Sequence, residues 1–291
     1  MATKVITTDR GPVEFSDAGS GDPILYFHGT GVTGDAMVAI ESPMIKDGFR
    51  LLIPNRPGYG RTPLSTHDSA VDCANVAAAL LDSLGIASAS VMGSSGGASF
   101  AVSFAVNHPN RARSLVLLCP QLHRWNHRQW LPVTSRWTLP FLKRRVLRRL
   151  LLKGYRYQLP RMGVRQFLRT EAGDRYSDVA DDSTVEELCK STLAAMTQGV
   201  QYKGFENDFI IFMNEDILGR DGSMTVPTLV IHDEMDPMAP ICHVDWFASR
   251  VPHCRRVSLH CAGHLIWAGP EADAMHDARV QFMKQYANPA A

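Results

Sequence analysis

The sequence predicts an α/β fold, in which a mostly parallel central sheet carries helices on both faces. Strand-like apolar runs alternate with helical patterns from residue 13 to residue 119, and the alternation resumes at residue 226. Between these two parts, residues 120–225 show helical patterns and little that resembles a strand. Three candidate reactive residues each follow a strand, which is where ligands bind in sheets of this kind.

The first part of the chain supplies five predicted strands and three predicted helices. A hairpin-type turn, Gly-Ser-Gly-Asp, separates the first two strands, and Gly85 ends the second helix as a C-terminal cap. The later strands are short apolar runs that alternate with helical patterns. The predicted strands are 13–17, 23–27, 49–53, 88–92 and 114–119, and the predicted helices are 35–46, 67–84 and 98–107.

The second part supplies strands 226–232 and 256–260 and helices 240–249 and 271–286. A crossover between parallel strands needs only about 12 residues, so the much longer segment that precedes residue 226 must form something more. We predict a helical cap at residues 121–224, inserted into a core of residues 1–120 and 225–291. A cap in this position would exclude water and shape the pocket.

The motif Gly-x-Ser-x-Gly occurs at residues 93–97, between a predicted strand and a predicted helix. A serine on such a turn has a strained backbone, and only glycine two residues before and after it leaves room for the chain to fold back. The turn presents the hydroxyl above the edge of the sheet, so Ser95 is the predicted nucleophile. Ser94 is the alternative, but Met92, two residues before it, is too large for this turn.

A serine nucleophile needs a general base, and the base needs an acid that orients it. His264 and Asp236 both follow predicted strands, and the chain order is serine, aspartate, histidine. This order differs from those of the two well-known serine protease folds. Asp233 lies in the same turn as Asp236 and is the alternative acid, with a structural reading in which it accepts local amide hydrogen bonds; we favour Asp236 over it.

Four segments give the chain a resemblance to the α/β-hydrolase superfamily that spans nearly its whole length. Residues 27–31 resemble the family's His-Gly-x segment, 54–61 its Arg-x-Gly-x-Gly segment, 230–240 its acid turn and 263–264 its histidine loop. Serine at position 95 favours the serine-nucleophile branch over the dehalogenases and epoxide hydrolases that use aspartate. The resemblance implies the α/β-hydrolase fold with a helical cap, or lid, because many members carry one at this insertion.

The resemblance also implies an oxyanion hole and part of the pocket. We expect the backbone amides of Thr30 and Gly96 to stabilise the anion of a tetrahedral intermediate. The Thr30 hydroxyl either adds a third donor or caps a turn. His28 has an alternative structural role, in which it bonds the backbone near the oxyanion loop. The residues that we expect at the substrate pocket are His28, Gly29, Ser94 and Trp267.

The composition of the chain limits which binding partners and which cellular compartment we expect for it. The net charge of +1 gives no overall attraction to nucleic acid. The N-terminus lacks the apolar core of a signal peptide, and no run of about 18 apolar residues predicts a membrane span. The six cysteines are scattered without a Cys-x2-Cys pair, so we expect reduced thiols, a cytoplasmic protein and no metal. We expect no cofactor, a small-molecule substrate, and a monomer or homodimer.

The segment 142–153 is the one cluster of basic residues within the predicted cap. One interpretation is a basic amphipathic helix that binds a membrane surface or an anionic partner. The other is a cap helix with a solvated outer face, and we favour it because Lys143 and Lys153 interrupt the apolar stripe. Acidic residues that follow in the same insertion could neutralise the cluster. They are Glu171, Asp174, Asp178, Asp181, Asp182, Glu186 and Glu187.

Together these features predict a serine hydrolase of the carboxylesterase class (EC 3.1.1), acting on a small ester, lactone or related acyl compound. One alternative keeps the triad but cleaves the C–C bond of a vinylogous diketone. A second alternative is a small-molecule receptor that uses a hydrolase-type pocket for binding, because a fold does not fix a function. A third, cofactor-free oxygen chemistry, is less favoured.

Overall fold

The computed structural model describes residues 3–64, 67–219 and 224–287, and these residues form an eight-stranded sheet. Central strands are buried along their length, whereas the first and last strands lie at the edges and are largely exposed. The strands are β1 (Lys4–Thr8), β2 (Gly11–Ala18), β3 (Asp22–Phe27), β4 (Phe49–Pro54), β5 (Ala89–Ser94), β6 (Ala112–Leu118), β7 (Thr228–His232) and β8 (Arg255–Ser258).

The strand order is β1-β2-β4-β3-β5-β6-β7-β8. β2 pairs antiparallel with both β1 and β4, and every other neighbouring pair is parallel. The mostly parallel sheet predicted from the sequence is therefore confirmed. Because parallel strands end at the same edge, the loops after β3, β5, β7 and β8 meet at one end of the sheet.

The described residues contain 12 α-helices, of which the longest, α9, has 17 residues. None of these described helices has both the length and the apolar character needed to cross a bilayer. The helices are α1 (Gly34–Ile40), α2 (Ser42–Lys46), α3 (Ala70–Ser83), α4 (Gly97–Asn107), α5 (Leu139–Leu142), α6 (Arg145–Gln158), α7 (Val164–Ala172), α8 (Tyr176–Val179), α9 (Ser183–Gly199), α10 (Lys203–Asn214), α11 (Cys242–Arg250) and α12 (Ala272–Gln285).

Alternate residues of the central strands face two separate helical layers. In β3, Leu25 and Phe27 belong to the apolar cluster that includes α3, α4 and α11. Ile24 and Tyr26 belong to the cluster on the other face, which includes α1, α2 and α12. Successive side chains of a strand point to opposite faces, so a strand covered on both sides is apolar throughout. This explains why the central strands read as continuous apolar runs.

The helical insertion, residues 119–227 between β6 and β7, contains α5 to α10 and no strand among its described residues. It contacts the loops at the carboxyl ends of the strands. The amide of Gly204 donates to the carbonyl of Gly58 at 2.9 Å, and the amide of His264 donates to the carbonyl of Glu171 at 2.9 Å. The insertion therefore lies over the end of the sheet at which the predicted reactive residues meet.

Two elements differ from the sequence expectation. The strand β1 was not predicted, because it is an exposed edge strand without apolar alternation. The predicted helix 35–46 is two helices, α1 and α2, interrupted at Glu41. Glu41 is buried and accepts hydrogen bonds from Arg279 Nη1 at 2.5 Å and from Trp267 Nε1 at 2.8 Å. Pro43, which has no amide hydrogen, lies in the first turn of the second helix, where no intrahelical partner is needed.

Candidate active site

Ser95 occupies the tight turn between β5 and α4. Its φ of 51° lies in the left-handed region, which is uncommon for residues other than glycine. The turn is held in place because the Ser95 amide donates to the carbonyl of Leu118 at 2.9 Å. The Ser95 carbonyl accepts from the amides of Ala98 and Gln121 at 3.1 and 3.0 Å. Neighbouring backbone thus stabilises a conformation that is unfavourable on its own.

The two glycines around Ser95 are required by close packing. A Cβ atom on Gly93 would lie 2.7 Å from the Cβ of Ala101, and one on Gly97 would lie 2.2 Å from the carbonyl oxygen of Phe27. Either contact is too short for a real side chain. The spacing of the Gly-x-Ser-x-Gly motif therefore follows from how closely α4 crosses the sheet.

Ser95, His264 and Asp236 form a continuous hydrogen-bonded chain. His264 Nε2 lies 2.9 Å from Ser95 Oγ, and His264 Nδ1 lies 2.8 Å from Asp236 Oδ2. The three residues come from the loops after β5, β7 and β8, and 169 residues separate the serine from the histidine. The structure thus brings together the three residues that the sequence singled out.

Burial and charge act in opposite directions on the histidine and the aspartate. Burial alone would raise the pKa of Asp236 and lower the pKa of His264. Their mutual charge and hydrogen bond outweigh burial, so the pKa of Asp236 lies below its ordinary value and the pKa of His264 lies above it. The amides of Met238 and Ala239 also donate to Asp236 Oδ1, at 2.7 and 2.9 Å. The ionised carboxylate therefore stabilises the imidazolium that forms when His264 accepts a proton.

Asp233, the alternative acid, has a different set of partners. Its carboxylate accepts hydrogen bonds from the amides of Cys261 and Gly263 at 2.9 and 3.3 Å, and from the Arg175 guanidinium at 3.2 Å. It therefore holds the loop that carries His264 and joins this loop to the helical insertion. It forms no hydrogen bond with the His264 ring among the described contacts.

Thr30 and Gly96 line the cavity together with Ser95. Neither amide donates to another described residue. Gly96 precedes the first residue of α4, where the helix dipole favours negative charge. The Thr30 hydroxyl donates to Asp208 Oδ2 at 2.9 Å, so its hydrogen points away from the cavity toward the insertion. The hydroxyl therefore serves neither as a third oxyanion donor nor as a turn cap, the two roles considered for it.

Of the remaining residues expected at the pocket, Gly29, Ser94 and Trp267 line the cavity. The Ser94 hydroxyl pairs with the Tyr26 hydroxyl at 2.7 Å within the core, which leaves it no contact with the histidine. His28 is not among the described lining residues, so the pocket expectation for it is corrected. It is fully buried, where Nδ1 lies 2.9 Å from the Gly29 carbonyl and Nε2 accepts from the Arg56 amide at 3.1 Å.

The cavity above Ser95 has a volume of about 680 Å³ and extends from the sheet into the helical insertion. Its walls are mainly aliphatic and aromatic. Among the described lining residues there is no lysine or arginine. The insertion contributes much of the apolar wall, including Trp125, Leu151, Tyr155, Met196 and Phe209.

Glu171 is a site residue whose position was missed from the sequence. It lies on α7, is only 5 % exposed and lines the cavity. No described residue donates a hydrogen bond to its carboxyl group. Burial, aided by the charge of Asp236 and opposed by that of His264, raises the pKa of Glu171 to about 7. Its helical spacing from the buried Phe167 and Leu168 is the signal that could have placed it on the inner face of α7.

One group of possible metal ligands lies within the site. Ligand atoms of Cys119, Asp236 and His264 lie within 4.8 Å of one another. Burial raises the pKa of the Cys119 thiol well above its ordinary value, and metals bind the thiolate rather than the thiol. The other two residues already bond each other, so the donor set is a poor match for a metal ion.

The family model described as the alpha/beta hydrolase fold matches residues 22–267. The chain belongs to the α/β-hydrolase family. The match runs from β3 to the histidine loop and includes Ser95, Asp236 and His264, so the family and the fold predicted from the sequence are confirmed.

Several known proteins resemble this α/β hydrolase over most of its length. The uncharacterized hydrolase YcgS of Bacillus subtilis strain 168 is 26% identical over 92% of this chain and 94% of its own. A 2-hydroxy-6-oxo-6-phenylhexa-2,4-dienoate hydrolase of Comamonas testosteroni is 22% identical over 94% of this chain and 91% of its own. A solved alpha/beta hydrolase fold protein from Nakamurella multipartita has a TM-score of 0.78 at 25% identity, covering 97% and 99% of the two chains. An esterase from Exiguobacterium antarcticum shares the fold, with a TM-score of 0.70 at 17% identity. The comparison covers 97% of this chain and 100% of the esterase.

Proposed function

We propose that this chain is a serine hydrolase that cleaves small, uncharged carboxylic esters or lactones. The observation that carries the proposal is the hydrogen-bonded series from Ser95 Oγ through His264 to Asp236, with links of 2.9 and 2.8 Å. It lies in an apolar cavity of about 680 Å³, which is within the range of small-molecule pockets. A nucleophile, a base and an orienting acid in this arrangement are the requirements of acyl transfer.

In the first half of the reaction, His264 Nε2 accepts the proton of Ser95 as the serine oxygen bonds to the substrate carbonyl carbon. The electron pair of the carbonyl bond moves to its oxygen, which the amides of Thr30 and Gly96 stabilise. The intermediate then expels the alkoxide, which takes the proton from His264 and leaves as an alcohol. Asp236 stabilises the imidazolium and fixes the tautomer throughout.

In the second half, water attacks the acyl group on Ser95 while His264 accepts a proton from the water. The second tetrahedral intermediate collapses, the carboxylic acid leaves, and the serine oxygen recovers its proton from His264. This step requires water to enter beside the histidine. Glu171 lines the same part of the cavity, so its charge affects the base that activates this water.

The cavity wall favours an uncharged substrate. Its described residues include no lysine or arginine, and the one carboxyl group, Glu171, would oppose an anionic substrate once it ionises. The curated relative from Comamonas testosteroni is named for a dienoate substrate, which carries a carboxylate. A carboxylate buried in this apolar cavity would lack a charged partner, and such burial is costly. This argument favours esters and lactones over the C–C bond of a dienoate.

Cleavage of the C–C bond of a vinylogous diketone remains the second candidate because a relative named as a hydrolase of an oxo-dienoate resembles most of this chain. The proposed triad would serve it without change. The receptor alternative is disfavoured by the complete hydrogen-bonded triad, since binding alone does not require one.

We further propose that residues 121–224 act as a cap, or lid, on a core of residues 1–120 and 225–291. The insertion supplies much of the apolar cavity wall, while the core supplies the reactive residues. A cap of this kind keeps bulk water from the acyl intermediate and determines which substrates fit.

A fluorophosphonate probe tests the proposed nucleophile directly. We expect the wild-type protein to be labelled on Ser95 and the Ser95→Ala variant to be unlabelled. Ser94→Ala is the matched control, because that hydroxyl faces Tyr26 in the core, and it should retain labelling. Labelling of Ser95→Ala, or loss of labelling in Ser94→Ala alone, would contradict the assignment.

A substrate panel then separates the reactions. We expect turnover of p-nitrophenyl esters of short to medium chain length or of lactones. Turnover of dienoate diketones with no turnover of any ester would instead support C–C cleavage. If the protein is labelled on Ser95 but turns over neither esters or lactones nor diketones, the receptor alternative would be favoured.

A further inference from the structure

The charge of this chain is distributed very unevenly, although its sum is close to zero. Residues 121–170 contain 13 lysines and arginines and no acidic residue. The rest of the chain has 17 basic residues against 29 acidic ones. The basic residues are Arg124, Arg128, Arg136, Lys143, Arg144, Arg145, Arg148, Arg149, Lys153, Arg156, Arg161, Arg165 and Arg169.

Acidic residues from the rest of the insertion do not neutralise this segment among the described ion pairs. Only Arg148 and Arg149 have an acidic partner there, and both share Glu206. The seven later acids that could have neutralised it form no described ion pair with this segment. For example, Asp178 pairs with His260 at 2.8 Å. The neutralisation that the sequence allowed for is therefore not found among the described ion pairs.

The same segment exposes a concentration of large apolar side chains. Nine such side chains are exposed among the described residues, and six of them lie within residues 133–157. Trp137 is 74% exposed and Val146 is 69% exposed. The six are Val133, Trp137, Phe141, Val146, Leu150 and Tyr157, and we call them the apolar patch.

The geometry of α6 places apolar and basic residues side by side on its outer face. Val146, Leu150 and Tyr157 follow one stripe at helical spacing, and Lys153 lies on the same stripe. Arg149, which is 57% exposed, borders this stripe, and Arg145 is exposed at the first residue of the helix. Leu152 points to the interior. An aliphatic and aromatic face bordered by lysine and arginine is typical of helices that lie at a lipid–water interface.

Two aromatic residues of the patch are contacted by guanidinium groups. The Arg128 guanidinium lies 4.5 Å from the centre of the Trp137 ring, and that of Arg161 lies 3.7 Å from the centre of the Tyr157 ring. Tryptophan and tyrosine with adjacent arginine suit the headgroup region, where rings contact acyl chains and cations contact phosphates.

We infer that the apolar patch and the surrounding basic residues form a docking surface for an anionic lipid bilayer. Lipid satisfies both properties at once, because acyl chains cover the apolar side chains and anionic headgroups neutralise the cations. A second copy docked on the same face about a two-fold axis would bring the exposed basic residues of the two copies, such as Arg145 and Lys153, against one another. A nucleic acid would neutralise the cations but would leave much of the exposed apolar surface uncovered.

The docking surface adjoins the mouth of the cavity. Leu150 belongs to the apolar patch and also lines the cavity that leads to Ser95. Ser135 and Thr138, beside Trp137, line the same cavity. Binding in this orientation would turn the opening toward the bilayer, so an apolar substrate dissolved in lipid could enter without crossing water. The inference concerns binding and stands independently of the proposed hydrolase activity.

Flotation with lipid vesicles tests the inference without any turnover. We expect the full chain to bind vesicles of phosphatidylcholine with phosphatidylglycerol, to bind phosphatidylcholine alone weakly, and to dissociate as salt is raised. Arg145 and Lys153 are exposed and have no described ion-pair partner, so Arg145→Glu with Lys153→Glu should fold normally. This double variant should weaken partitioning at least about tenfold. The matched control reverses Arg255 and Lys284, which are exposed elsewhere, and should bind as wild type.

Trp137 provides a second measurement on the wild-type chain. On binding anionic vesicles, its fluorescence should shift to shorter wavelength and be quenched by brominated lipid, and Trp137→Phe should remove most of this response. Equal binding of the two double variants would overturn the inference. So would an unresponsive Trp137, binding to duplex DNA but not to vesicles, or a stable dimer that conceals the patch in sedimentation.

Discussion

Asp208 and Arg56 form a buried, bidentate ion pair that joins the helical insertion to the core. Arg56 Nη1 and Nη2 donate to the two carboxylate oxygens at 2.5 and 2.8 Å, and both side chains are 2% exposed. The same carboxylate accepts from the hydroxyls of Tyr59 and Thr30 at 2.7 and 2.9 Å. Through one side chain, α10 is therefore fixed to the loop whose amide we propose as an oxyanion donor.

Asp208→Asn should impair both stability and turnover. It leaves the Arg56 charge buried without a counter-ion, which typically costs about 3–5 kcal/mol of unfolding free energy. It also loosens Thr30, so kcat should fall at least about tenfold through loss of oxyanion stabilisation. Urea denaturation and steady-state kinetics measure the two effects.

Asp245→Asn is the matched control, an aspartate whose ion pair is exposed. Asp245 pairs with Arg256 at 2.8 Å, and the two side chains are 57% and 39% exposed. A pair of this kind contributes less than about 1 kcal/mol, so stability and kcat should change little. If Asp208→Asn behaves like this control, then Asp208 does not position the oxyanion loop.

The two aspartates of the turn after β7 should give different phenotypes. Asp236→Asn should lower kcat by about ten-thousandfold with little change in melting temperature, because the neutral amide cannot hold the correct tautomer of His264. Asp233→Asn removes the charge that faces Arg175, so it should lower the melting temperature and reduce kcat much less. The reverse pattern would assign the catalytic acid to Asp233.

Glu171→Gln should stabilise the protein only at neutral and alkaline pH. The folded-state pKa of Glu171, about 7, lies above its ordinary value of 4.5, so the stability tied to its neutral form is complete below pH 4.5 and is lost as pH rises through 7. Glutamine resembles that neutral form at every pH. The gain in unfolding free energy should be near zero at about pH 4 and reach up to about 3 kcal/mol at about pH 8.

Urea denaturation across this pH range measures the effect, with Asp174→Asn as the control. Asp174 is an exposed acid of the same insertion, so its replacement should give no pH-dependent gain. A gain for Glu171→Gln that is equally large at low pH would show that packing, not ionisation, is responsible.

The same substitution should move the pH dependence of catalysis. The proposed mechanism needs neutral His264, so kcat/KM rises as pH increases through the pKa of this residue. Ionised Glu171 helps to raise that pKa, although less than Asp236 does. Glu171→Gln should therefore shift the acidic limb to lower pH by about half a unit to one unit. No shift, or a shift to higher pH, would contradict an interaction between the two groups.

The sequence predicted the sheet and its reactive loops well because local rules determine both. The turn at Ser95 requires glycine at fixed positions, and polar turns follow buried strands, so short patterns locate the chemistry. What it missed depends on partners distant in sequence. Asp208 lies 152 residues from Arg56, and nothing near either residue identifies the other. The helical spacing of Asp208 from Phe205 and Phe212 was a signal for its burial, but not for its partner.

The surface of the insertion was misjudged for a similar reason. Acidic residues near the basic segment in sequence could have neutralised it, but Asp178 pairs with His260 and Glu171 faces the cavity. Helix packing separates charges that are close in sequence. The exposed face of α6 is likewise decided by helix packing. In the sequence, the apolar residues of the stripe favour a buried face, whereas Lys153 on the same stripe favours an exposed one.

Gly96→Ala tests the proposed oxyanion hole, because a methyl group at residue 96 would displace the loop that carries the other proposed donor, Thr30. A Cβ atom at residue 96 would lie 2.2 Å from Thr30 Oγ1 and 2.7 Å from the ring of Phe212, so the loop carrying Thr30 must move away. Because losing one oxyanion donor typically lowers kcat by about 100- to 1000-fold, we expect a loss in that range with KM changed much less. Gly163→Ala, with φ of −72° and no atom within 4 Å of the new methyl group, is the control and should be fully active. A fully active Gly96→Ala would place the oxyanion donors elsewhere.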